Sequence, residues 1–108
     1  MFCFRESKIS TSLHYKDMNL NKRQEYFNLG VALPQHYPNL NFDNHCYWRI
    51  ALDNTLQAKW KDKIPAPAYK HLTEEQLDFV IHLLKSYQKD EQLLLDHNKI
   101  SLGYRGKN

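Results

Sequence analysis

The clearest alternation of apolar and polar positions lies in the second half of the chain. Leu77, Val80, Ile81, Leu84 and Tyr87 recur at helical spacing with Leu83 at the margin, while Asp78, His82 and Lys85 fall on the other side. The pattern predicts a helix over Glu74–Tyr87. Thr73 is its N-cap and Gln76 the reciprocal capping-box partner. Glu74 and Glu75 stand where the positive end of the helix dipole favours acids. Asp90 then caps a further helix over Glu91–Leu102, whose Leu93, Leu94, Leu95, Ile100 and Leu102 can pack back as a helical hairpin, with Gly103 as the stop.

Between Asn44 and Asp62 the pattern predicts a helix with two apolar arcs, capped by Asp43. Tyr47, Ile50, Ala51 and Ala58 form one arc, with Asn54 in its middle, and Trp48, Leu52, Leu56 and Trp60 form the other. Arg49, Asp53 and Gln57 make a narrow polar wedge. Such a helix is central to the fold or covered by a partner. Ahead of it, Asn21 as N-cap and Gln24 predict a helix over Lys22–Leu33, weakened by Gly30 and closed by Pro34. Residues 1–18 show poor periodicity and read as an irregular arm with an apolar tip, Phe2-Cys3-Phe4. Pro65 and Pro67 make Ile64–His71 a linker. The expected architecture is an all-α domain of three to four helices, with a helical hairpin in the C-terminal half. It comprises an N-terminal arm (1–18), one helical domain (19–103) and a basic tail (104–108).

With 108 residues the chain suits one domain. Hydrophobic residues at 42%, with Gly 3 and Pro 4, exclude low-complexity and collagen-like classes. No apolar run reaches a membrane span, and no secretory leader is evident, so a soluble cytoplasmic protein without a membrane partner is expected. Cys3 and Cys46 make no disulfide framework.

The net charge of +3 is mild, but it is unevenly placed. Lys59, Lys61, Lys63 and Lys70 face one acid, Asp62, between residues 59 and 71. Six acids against two lysines follow up to Asn98, and Lys99, Arg105 and Lys107 close the chain. A bipolar surface of this kind can orient a charged partner, or simply keep the domain soluble.

Candidate chemistry is sparse. The six histidines lack zinc-site spacing, and a site assembled from His36, His45 and Cys46 would be short of ligands. Neither a metal nor a cofactor is expected. Cys46 lies in the first turn of its helix, where the dipole lowers a thiol pKa, but adjacent His45 points about 100° away and cannot serve as its base. A Cys46-dependent enzyme is therefore the third reading, and no catalytic residue is assigned. Arg49 and Asp53, four apart, can pair across one helix turn. They also stand beside Trp48 and Trp60, and Trp and Arg dominate interface hot spots.

The leading expectation is a small non-enzymatic helical binding protein, an adaptor, regulator or inhibitor acting on a protein partner. Its contacts would be Trp48, Arg49, Asp53 and Trp60, rimmed by Lys61, Lys63 and Lys70. The second expectation is a nucleic-acid-binding accessory protein using Lys59, Trp60, Lys61, Lys63, Lys70 and Arg105, because aromatics interleaved with cations suit single strands. The connection between the first two helices is too long for the turn of roughly 3–4 residues in a helix-turn-helix. A homodimer is a further way to bury the two-faced helix.

Overall fold

A computed structural model describes the backbone of residues 11–107 and the side chains of residues 21–107. Among the described residues the fold is all-α, with α1 (Thr11–His36), α2 (Asn44–Leu56), α3 (Glu74–Lys89) and α4 (Glu91–Tyr104). Two 3₁₀ turns, Trp60–Asp62 and Ala68–Lys70, interrupt the connection from α2 to α3.

Helix α3 forms where its stripe predicts. Leu77, Val80, Ile81, Leu83, Leu84 and Tyr87 are all buried. The capping box is complete: Gln76 N–H donates to Thr73 Oγ1 at 3.0 Å, and Thr73 N–H donates to Gln76 Oε1 at 2.9 Å. A single residue, Asp90, separates α3 from α4 and caps α4 by accepting from Leu93 N–H at 3.0 Å. The hairpin is closed by a bond between Tyr87 Oη and His97 Nδ1 at 2.7 Å. Helix α4 leans more on α2 than on α3, and only Leu94 and Ser101 among its side chains are fully covered. It runs through Gly103 to Tyr104, one turn's fraction beyond the expected stop, because no residue there adopts the left-handed conformation until Gly106.

Helix α2 is the centre of the domain and touches α1, α3 and α4. Tyr47, Ile50, Ala51 and Leu52 are buried, and Ala51 is small enough to let a neighbour approach. Asp43 caps its start by accepting from Cys46 N–H at 3.0 Å. Its end differs from the expectation of Asp62. The helix stops at Leu56, where Gln57 takes the left-handed conformation (φ 57°) and Ala58 N–H turns back onto the Asp53 carbonyl at 3.2 Å. Trp60 therefore does not continue the arc of Trp48, Leu52 and Leu56, and Ala58 leaves the opposite arc.

Helix α1 also departs from the expected bounds. Its described part runs from Thr11, so residues 11–18 belong to a helix and not to an irregular arm, while the aromatic tip and Cys3 lie outside the described residues. No Gly or Pro occurs from Thr11 to Leu29, and a helix once nucleated propagates through such a run despite weak periodicity. Asn21 is mid-helix and caps nothing, and Gln24 instead donates to Asn28 Oδ1 at 3.0 Å. The helix ends at His36, two residues past Pro34, which removes one backbone donor from the last turn.

Part of the acidic stretch is spent on holding α1 against α3. Lys22 Nζ lies 2.7 Å from Glu74 and 3.1 Å from Asp78, and Lys85 Nζ lies 2.6 Å from Glu25. These exposed pairs set orientation more than stability.

Candidate binding site

A cleft of about 520 Å³ opens where α1, α2 and the connecting segment meet. Its aromatic wall begins with a glycine. A Cβ added at Gly30 would stand 2.1 Å from the Trp48 indole, so α1 accepts that ring only because position 30 has no side chain. Trp48 then donates from Nε1 to the Tyr26 carbonyl at 3.1 Å and stacks on the Tyr26 ring, 5.5 Å between centroids and 14° between planes. Phe27 meets Trp48 edge-on at 5.7 Å and Tyr69 edge-on at 4.7 Å. The Arg23 guanidinium covers the Tyr69 ring at 5.9 Å, and Lys61 Nζ lies over the Trp60 ring at 5.6 Å. Burial raises the pKa of the Tyr26 phenol well above its ordinary value, so this wall carries no acid near neutral pH.

Beneath the cleft lies a polar node. Asp53 is fully buried. Its Oδ2 accepts from Ser101 Oγ at 2.6 Å and from Arg105 Nε at 2.7 Å. Its Oδ1 accepts from Trp60 N–H at 2.9 Å and from Arg105 Nη2 at 3.1 Å. A carboxylate with four donors satisfies the demand that a buried charge be paired and hydrogen-bonded. The bond to Trp60 N–H also explains the early end of α2, since it draws the chain back across the end of its own helix. Arg49 is not the partner of Asp53, in contrast to the expected pairing across one turn. Its Nη1 donates to Ser101 Oγ at 2.7 Å and its Nη2 to Asn98 Oδ1 at 2.9 Å. Asn54 donates to the carbonyls of Ile50 at 2.8 Å and His97 at 3.1 Å, which satisfies an amide on an otherwise apolar arc.

Of the expected protein contacts, Trp48, Arg49, Trp60 and Lys61 line the cleft. Asp53 is a buried support under it and has no surface to offer. Lys63 and Lys70 are exposed but do not line it. Of the expected nucleic-acid contacts, Arg105 lines the cleft but belongs to the Asp53 node and not to a free tail. Tyr26, Phe27, Asn98 and Ser101 carry no site signal in the sequence, whereas Tyr69 belongs to an aromatic–basic cluster with Lys70. Gly30 inside a helix was the one signal of the close approach that gathers the first two. Asp43, at the cleft, is held below its ordinary pKa by hydrogen bonds from Cys46, its backbone N–H first.

Cys46 is half-buried and lines the cleft, but among the described residues no histidine nitrogen bonds its sulfur. Among the described residues no group of three His, Cys, Asp or Glu side chains is placed to hold a metal ion. No described helix is long and apolar enough to cross a membrane. Compared with family models, with curated proteins and with solved structures, the chain matches none.

Proposed function

We propose that this chain is a non-enzymatic binding protein that docks on a protein partner through the cleft, as an adaptor, regulator or inhibitor. The observation that carries this reading is how the aromatic rings are used. Trp48 is stacked on Tyr26 and pressed on Gly30, Tyr69 is covered by Arg23, and Trp60 lies under Lys61. Single-stranded nucleic acid needs open ring faces on which bases stack. Here the rings build a fixed apolar wall, with cations at its edge, of the kind that receives a side chain from a protein partner. Arg105, which the nucleic-acid reading needs as a free phosphate contact, is tied to Asp53 by two bonds.

The test is a photo-reactive amino acid placed at position 61, with position 82 on the exposed side of α3 as control. Irradiation in cells of the source organism should give a discrete adduct from position 61 that protease destroys and nuclease leaves intact. A nuclease-sensitive adduct, or equal labelling from both positions, overturns the reading. Trp60→Ala should remove the adduct and leave the helical circular dichroism unchanged.

A further inference from the structure

Arg49 has an unusual set of partners. It is half-buried, it lines the cleft, and its two bonds go to neutral acceptors, Ser101 Oγ and Asn98 Oδ1. The carboxylate nearest in the network, Asp53, reaches it only through Ser101 and already has Arg105 as its counter-charge. A guanidinium has five N–H donors in a rigid fork, and two of these bonds leave three unspent. A half-buried cation without its own counter-ion costs solvation energy, which an arriving anion recovers.

The surroundings say which anion. Lys61 lines the same cleft, and Lys59, Lys63 and Lys70 flank it in sequence, with Asp43 and Asp62 the acids among them. The cleft is therefore complementary to a negatively charged segment. Phe27, Leu52, Pro67 and Ala68 are apolar members of its lining, and its volume suits one or two side chains.

We infer that Arg49 is the anchor for a carboxylate on the partner, and that the cleft takes an acidic segment bearing an aromatic side chain. This rests on the protein-docking reading above. In the complex the aromatic ring enters against Phe27 and Pro67, one carboxylate pairs with Arg49, and neighbouring carboxylates meet Lys61 and the flanking lysines. Ser101 and Asn98 hold the guanidinium in place beforehand, so little side-chain entropy is lost on binding.

The test uses the full chain and the capped peptide Glu-Glu-Phe-Glu-Glu, followed by the fluorescence of Trp48 and Trp60. Saturable binding is expected, at least tenfold tighter than that of the Gln-Gln-Phe-Gln-Gln counterpart. Arg49→Gln should weaken the acidic peptide at least fivefold, and Lys63→Gln less than twofold. Equal affinity for the two peptides, or indifference to Arg49→Gln, overturns the inference. So does displacement of the acidic peptide by millimolar inorganic phosphate or by a short oligothymidylate, which would mark a phosphate site. Should Arg49→Gln fail to fold, the peptide pair on the unaltered chain decides alone. If neither peptide binds while the protein adduct at position 61 persists, the carboxylate anchor is wrong and protein docking stands. If the adduct also fails, the docking reading falls with it.

Discussion

Asp53 shows how far one residue's role depends on chain that is distant in sequence. Read locally, its partner is Arg49, one helix turn away. In the fold its partner is Arg105, 52 positions on, with Ser101 and the Trp60 backbone sharing the two oxygens. Arg49 is then released to neutral acceptors, and this is what leaves it available at the cleft. Trp48, Arg49, Trp60 and Lys61, which the sequence groups, do line one cleft. Their pairing was not legible there, because spacing along a helix says nothing about which side chain a third element delivers. Replacing the carboxylate tests the node. Asp53→Asn leaves the Arg105 guanidinium, 18% exposed, without its counter-charge. Breaking a buried pair at one partner costs about 3–5 kcal/mol, and the partial exposure of Arg105 places this case near about 3. Urea unfolding of the two proteins measures it. A loss below about 1 kcal/mol would mean the node is not what joins α2 to α4.

At the scale of elements, the ends that were legible are those with a side-chain cap. Asp43, Thr73 and Asp90 each accept the backbone N–H that their position in the sequence implies. What was not legible has no such marker in the sequence: residues 11–18 of α1 form a polar run without periodicity, and α2 closes at Gln57 because Asp53 captures a backbone N–H from beyond the helix. The α3–α4 hairpin carries its own titratable link. Burial lowers the pKa of His97 below its ordinary 6.5, and Asp96 offsets this only in part. The neutral imidazole can accept from Tyr87 Oη at Nδ1. In the window between the lowered folded value and 6.5 the unfolded chain binds more protons than the folded one, so stability rises with pH there. The contribution is complete above 6.5 and is lost as pH falls through the folded value. The urea midpoint should therefore drop between pH 7.5 and pH 5, and His97→Gln should flatten that part of the profile. An unchanged slope in the variant would assign the acid sensitivity to other groups.

For the whole molecule, the two-faced helix raises the question of what covers it. In the fold α2 is enclosed within one chain: it touches α1, α3 and α4, with Trp48 on Gly30 and Tyr26 of α1, Arg49 and Asn54 bonded to α4, and Tyr47, Ile50 and Ala51 fully buried. A second copy is thus not needed to bury it. Among the described residues the large apolar side chains that stay exposed are spread over three helices, Val31 on α1, Phe79 on α3, and Ile100 with Tyr104 on α4. Apolar residues scattered in this way are ordinary surface, whereas an obligate dimer presents one contiguous apolar face. The chain is expected to sediment as a single species of 13.0 kDa across micromolar concentrations. A species of twice that mass would point to Ile100 and Tyr104, an exposed apolar pair one turn apart on α4, as the seam. Tyr104→Ser would then return the protein to the monomer. Because Tyr104 immediately precedes Arg105, a dimer through that seam would also bury the approach to the cleft, and acidic-peptide binding would weaken as protein concentration rises. Affinity that is independent of protein concentration is the result expected of a monomer whose cleft faces solvent.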